Sequence, residues 1–108
     1  MRAALFFLLA AVLAGNSYAR GDAEKGKAKA AQVCAACHGA DGAKPVAPEN
    51  PILAGQHYDY LVKALSDYKS GKRANAIMKA FADPLSKKEI EDLSAWFAIQ
   101  KSKLHFQR

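Results

Sequence analysis

The residues with the clearest capacity for chemistry are Cys34, Cys37 and His38, in the segment QVCAACHGADG. The two cysteines are the only ones among the 108 residues of the chain, and they stand three positions apart. Two thiols followed by an imidazole fit four kinds of site: a structural zinc site, a redox-active dithiol, a disulfide, or a point of covalent cofactor attachment. The other residues of the chain must distinguish these four.

The first three alternatives lack partners that they would need. A structural zinc ion takes four ligands, and beyond this segment the chain offers only the histidines His57 and His105, with no second cysteine pair. A thioredoxin-like dithiol is expected beside a βαβ unit, and no strand is predicted. A disulfide between positions i and i+3 closes so short a loop that it adds little stability.

The fourth alternative is that C-x-x-C-H attaches a c-type haem. Thiols three residues apart on one helical turn can each add to a haem vinyl group, and His38 then lies under the iron as its proximal ligand. A low-spin electron-transfer haem needs a sixth ligand, commonly the sulfur of methionine. Met78 is the only methionine besides Met1, so it is the predicted distal ligand, with core packing as its alternative role. His57 and His105 compete for that position but are expected at the surface.

The N-terminus is predicted to be a cleaved signal peptide. A positively charged start precedes Ala3–Ala14, an unbroken apolar run of 12 residues, and small residues then stand at Ser17 and Ala19, as a cleavage site requires. A bilayer span needs about 20 apolar residues, so the run is too short to be an anchor. The sequence therefore predicts a signal peptide at 1–19 and a domain at 20–108, exported to the periplasm with no integral membrane segment after cleavage.

The elements that must position the candidate site residues are predicted to be helices. Residues 23–36 are rich in Ala, Lys and Glu and should form a first helix, which includes Cys34. Residues 39–56 are rich in glycine and proline. This composition predicts a long loop, of a length that is unusual in a compact domain unless the loop wraps around another group. Apolar residues at helical spacing from Tyr58 to Tyr68 predict a second main helix, with Gly71 as its stop.

A short segment around Met78 precedes a third main helix, which begins at the S-x-x-E capping box of Ser86 and Glu89. An apolar stripe at helical spacing follows the box, whereas nothing in the chain shows the strict alternation of a half-buried strand. The predicted fold class is all-α: three main helices, one short helix and a long loop around one haem.

The chain is basic, with 16 Lys and Arg against 10 Asp and Glu and a net charge of +6. The cations do not form a single stripe, so nucleic acid is not the predicted partner. The charge suits redox partner proteins with acidic docking surfaces. The lysines that could steer such docking are Lys44, Lys63, Lys69, Lys72 and Lys79.

The segment GDAEKGKAKAAQVCAACHGADG resembles the N-terminal helix and haem-binding loop of class I c-type cytochromes, above all the small soluble monohaem bacterial ones. The segments NPILAGQ, YLVKALSDYKSGKR and LSKKEIEDLSAWFA, together with Met78, resemble the later parts of that family in the same order. The resemblance covers about residues 21–100 and implies the class I cytochrome c fold.

The resemblance also implies a set of site residues. Cys34 and Cys37 would form the thioether links to one haem c, and His38 and Met78 would be the axial iron ligands. Pro51 matches the proline whose carbonyl accepts a hydrogen bond from Nδ1 of the proximal histidine, a contact that orients the ring.

The resemblance further implies that the first helix packs against the last. Gly26 would permit the close approach, with Trp96 or Phe97 as its aromatic counterpart. The implied function is that of a periplasmic monohaem carrier of single electrons between respiratory or other redox proteins, and not of an enzyme. A gas-binding or sensory haem protein, or a haem-carrying subunit of a larger oxidoreductase, is the alternative. Some relatives carry two such domains in tandem, whereas this chain has one CxxCH.

Overall fold

The computed structural model describes residues 20–102, which form five helices and no β-strand. In chain order the helices are α1 (Ala23–Val33), α2 (Ala35–His38), α3 (Tyr58–Ser70), α4 (Ala76–Ala82) and α5 (Lys87–Ala98).

The prediction of an all-α fold is confirmed. Helices α1, α3 and α5 are the three main helices, α4 is the predicted short one, and residues 39–57 form the long loop. The predicted signal peptide at 1–19 and His105 lie outside the described residues. Within the described part of the chain, no helix has the length and apolar character that crossing a membrane requires.

The region predicted as one helix over 23–36 is two helices in the structure. Helix α1 begins at the N-cap Asp22, whose carboxylate accepts backbone hydrogen bonds from the first turn, and it ends at Val33. The carbonyl of Cys34 then accepts the N–H groups of both Cys37 (3.3 Å) and His38 (3.0 Å). This bond pattern starts α2 as a separate turn, which carries the predicted site residues.

Helix α1 packs against α5 at Gly26, which is buried. A Cβ at this position would lie 1.9 Å from the carbonyl oxygen of Asp92 and 3.0 Å from Cβ of Trp96, so only glycine permits this approach. The aromatic counterpart of Gly26 is therefore Trp96, whereas Phe97 lies in the apolar core with 3% of its surface exposed. Asp92 is itself buried and accepts the N–H of Asp22 at 2.7 Å.

Helix α3 packs against both α5 and α4. It ends at Gly71, which adopts φ = +83°, as the stop predicted there requires. The predicted capping box of α5 is also confirmed: Glu89 N–H donates to Ser86 Oγ at 3.1 Å, and Ser86 N–H donates to Glu89 Oε1 at 3.0 Å. The buried apolar cluster between these helices consists of Ala30, Leu61, Leu85, Ile90, Leu93 and Phe97.

Candidate cofactor-binding site

The two cysteines have free thiols, and both are half-buried at the start and the third position of the turn formed by α2. Burial raises the pKa of the Cys34 thiol to about 11, an effect that the nearby charge of Lys29 only partly offsets. Redox-active and metal-binding cysteines have a lowered pKa, because the thiolate is the reactive form. Cys34 is therefore a protonated thiol at neutral pH, which argues against the dithiol alternative.

The described residues also provide no ligand set for zinc. Among residues 20–102, no group of three or more His, Cys, Asp or Glu side chains is placed to hold a metal ion. His57, one of the two other histidines considered in the sequence, is exposed at the N-terminus of α3. A structural zinc site would need four converging ligands.

His38 is buried and oriented by the long loop. Its side chain is 6% exposed, and its Nδ1 lies 2.9 Å from the carbonyl oxygen of Pro51. Because a carbonyl oxygen can only accept a hydrogen bond, Nδ1 is the ring nitrogen that carries the proton. The Nε2 lone pair of His38 is then available for a metal, which is the arrangement that metal-ligating histidines show.

The loop is fastened to α2 by contacts that the sequence analysis missed. The carbonyl of Cys37 accepts two hydrogen bonds, from the N–H of Val46 and from Nδ2 of Asn50, both at 3.1 Å. Gly39 begins the loop with φ = +87°, and a Cβ there would lie 2.7 Å from the carbonyl oxygen of Lys44. The position of Asn50 directly before Pro51 is the only feature of the sequence that could have suggested a role for it.

Met78 lies in the first turn of α4, where its N–H donates to Oδ1 of the N-cap residue Asn75 at 3.0 Å. It is half-buried and is not a member of the apolar core cluster. Two apolar neighbours on the same helix, Ile77 and Phe81, are 68% and 43% exposed. This exposure does not fit the alternative in which Met78 only fills the core. Helix α4 packs against α3 and α2 packs against α1, so Met78 and His38 come from different helix pairs.

Three of the five lysines predicted to steer docking are engaged within the molecule. Lys63 pairs with Asp67, and Lys79 pairs with Asp83 with a distance of 2.9 Å between Nζ and Oδ1. The ammonium group of Lys69 donates to the backbone carbonyl of Asp83. The two ion pairs neutralise part of the basic surface around α3 and α4, whereas Lys69 keeps its charge.

Comparisons with known proteins agree with this arrangement of helices. The family model described as Cytochrome c matches residues 23–99. Cytochrome c4 of Pseudomonas aeruginosa is 50% identical over 94 residues, which cover 87% of this chain and 46% of that protein. Cytochrome c-554(548) of Halomonas halodenitrificans is 38% identical over 84 residues, which cover 75% of this chain and 99% of that protein.

A solved structure shows the same fold. The crystal structure of reduced recombinant cytochrome c4 from Pseudomonas stutzeri superposes with a TM-score of 0.70 at 43% identity, over 78% of this chain and 48% of that chain. The chain thus spans about half the length of the cytochrome c4 relatives that it matches.

Proposed function

The chain belongs to the cytochrome c family, and on this premise we propose that it binds one haem c covalently and carries single electrons in the periplasm. The observation that carries the proposal is the contact of 2.9 Å between His38 Nδ1 and the carbonyl of Pro51. It orients a buried imidazole with its other nitrogen available, directly beside two free thiols. This donor set supports a covalently attached haem.

Each site residue has a distinct part in this proposal. Cys34 and Cys37 would hold the haem through thioethers, His38 would donate Nε2 to the iron, and the thioether sulfur of Met78 on α4 would be the other protein ligand. Pro51 orients the His38 ring through the hydrogen bond. The haem, when bound, supplies the redox chemistry by changing the oxidation state of its iron. A thioether as sixth ligand raises the reduction potential, and saturated coordination suits electron transfer rather than catalysis on a substrate.

The proposed location and partners rest on the N-terminus and on surface charge. We infer that residues 1–19 are a signal peptide that directs residues 20–108 to the periplasm. Redox partners with acidic docking surfaces suit the net charge of +6. Among the candidate lysines, Lys44 and Lys72 suit such a surface best, because both are exposed and neither belongs to an ion pair within residues 20–102.

The experiment that tests the proposal is expression of the full chain in a host that matures c-type cytochromes, followed by visible spectroscopy and intact mass of the periplasmic fraction. The expected product begins at Arg20, carries the mass of one haem and has a low-spin spectrum. A variant with Cys34→Ser and Cys37→Ser should reach the periplasm without covalent haem, and this controls for adventitious binding.

Two results would contradict the proposal. A wild-type protein without covalent haem would refute the cofactor assignment. Ready binding of carbon monoxide by the reduced protein at neutral pH would refute the Met78-ligated carrier, because a gas ligand needs an open or easily displaced sixth position. In that case the protein would instead be a gas-binding or sensory haem protein.

A further inference from the structure

Two neighbouring residues of the long loop contact two neighbouring residues of α2. Nδ2 of Asn50 lies 3.1 Å from the carbonyl oxygen of Cys37, and the carbonyl oxygen of Pro51 lies 2.9 Å from Nδ1 of His38. Each pair is separated by 13 residues in the chain, so the two contacts together fix one register of the loop against α2. The second contact orients the proposed iron ligand, whereas the proposed function assigns no role to the first.

The side-chain amide of Asn50 is the donor in this first contact. Its acceptor is a backbone carbonyl, which cannot donate, so the amide presents its NH2 group to Cys37. The backbone N–H of Asn50 donates to the carbonyl of Ala47 at 3.1 Å, and the residue is half-buried. Hydrogen bonds therefore hold both the main chain and the side chain of Asn50.

Pro51 transmits this placement to its own carbonyl group. The proline ring holds φ at about −65°, and the residue before a proline is confined to extended backbone. Pro51 is exposed, so burial of its ring does not hold the segment. Further along the loop, the N–H of Leu53 donates to the carbonyl of Gly42 at 2.9 Å. The Pro51 carbonyl is thus held between Asn50 and Leu53, and Asn50 is the adjacent residue.

We propose that Asn50 is a positioning residue for His38; this inference rests on the proposed function. The amide bond from Asn50 to Cys37 keeps the Pro51 carbonyl within reach of Nδ1, and so holds the imidazole in the orientation and tautomer that suit iron ligation. The carbonyl of Cys37 also accepts the N–H of Val46 at 3.1 Å. Loss of the Asn50 amide therefore leaves no orphaned acceptor, and its effect is a loss of position.

The test is the exchange with solvent of the Nδ1 proton of His38, followed by NMR in the reduced, haem-loaded protein. This proton exchanges when its bond to Pro51 opens. One hydrogen bond of ordinary strength changes such an opening equilibrium by about two- to tenfold, so Asn50→Ala should speed exchange by about that factor. Asn50→Asp keeps the shape but has no donor when ionised, and it should also speed exchange because the carboxylate repels the carbonyl oxygen of Cys37.

The matched control is Val46→Ala. The N–H of Val46 donates to the same carbonyl of Cys37, and its side chain is 70% exposed. Truncation of that side chain leaves the backbone bond intact, so exchange at His38 should not change. The internal reference is the backbone N–H of Leu93, a fully buried residue of α5, because exchange there reports the opening of the whole domain.

The outcomes separate a positioning role from a general structural one. Unchanged exchange at His38 in both Asn50 variants would overturn the inference. An equal acceleration at Leu93 would also overturn it, because Asn50 would then support only the stability of the domain, and so would an equal acceleration at His38 in Val46→Ala. Absence of covalent haem from the wild-type protein would instead refute the proposed function, and the mass and spectrum of the wild type would reveal this before any variant is measured.

Discussion

Replacing Gly26 by alanine is expected to weaken the contact between α1 and α5. Judged by helix propensity alone, this substitution stabilises an interior helical position by about 1 kcal/mol. The packing predicts the opposite. The added Cβ would lie 1.9 Å from the carbonyl oxygen and 2.5 Å from the carbonyl carbon of Asp92. Both atoms belong to the backbone, so no side-chain rotation relieves the overlap, and the two helices must move apart.

The magnitude follows from the displacement that the overlap requires. Bringing the Cβ to the shortest contact that real structures show, 3.0 Å, separates the helices by about 1 Å. A gap of that order forfeits a quarter to a half of the dispersion energy of each contact across it. Overpacking a well-packed interface costs about 1–3 kcal/mol, and a backbone overlap belongs at the upper end. After subtraction of the gain in propensity, Gly26→Ala should lower the free energy of unfolding by about 2 kcal/mol.

The measurement is guanidinium unfolding of the haem-loaded protein, followed by far-UV circular dichroism and by the emission of Trp96. Trp96 is the only tryptophan and lies at the contact with Gly26. The control is Ala31→Gly, at an exposed position of the same helix, which should cost about 1 kcal/mol through propensity alone. If Gly26→Ala proves as stable as the wild type or more stable, the argument from close packing is refuted.

Three further substitutions test other parts of the structure. Ser94 Oγ is buried without a hydrogen-bond partner among the described residues, so Ser94→Ala should raise the free energy of unfolding by about 1 kcal/mol; a loss of stability would reveal a bond that this structure does not contain. Glu89 has its pKa lowered to about 2 by hydrogen bonds from Lys29 and from the backbone of Ser86. The ionised Glu89 carboxylate therefore makes its full contribution to the free energy of unfolding above its ordinary pKa of 4.5, and that contribution is lost as the pH falls toward 2. Glu89→Gln keeps a capping side chain but loses the ion pair, so wild type should exceed it in stability at neutral pH and the difference should vanish in acid; a constant difference would exclude the ion pair as its cause. Met78→Ala should retain covalent haem but lose the low-spin spectrum and lower the midpoint potential, and an unchanged spectrum would mean that another residue is the sixth ligand.

The helix boundaries that the sequence predicted well are those determined by neighbouring residues. Glu89 lies three positions from Ser86, and the two complete a capping box without help from the remainder of the chain. Gly71 ends α3 because a left-handed conformation at that position suits glycine. Such features depend only on residues a few positions apart, so a short stretch of sequence is enough to predict them.

The break between α1 and α2 could not be predicted in the same way. Residues 23–36 have a composition that favours one continuous helix, yet the helix stops at Val33. The turn that follows is tied at the carbonyl of Cys37 by Val46 and Asn50. Asn50 is 13 residues from Cys37, and neither its identity nor its spacing is a recognised pattern. The interruption depends on how the loop folds back, and that information is not local.

This division between local and long-range information explains why the motif alone leaves several chemistries open. C-x-x-C-H places two thiols and an imidazole in order, but it does not determine which ring nitrogen of His38 carries the proton. The carbonyl of Pro51 does so from 13 residues away, because it can only accept a hydrogen bond. An imidazole with its proton fixed at Nδ1 is a metal ligand at Nε2, whereas one free to exchange tautomers is equally suited to proton transfer. With a single hydrogen bond the loop thus fixes one tautomer of His38, and that tautomer suits metal ligation better than proton transfer.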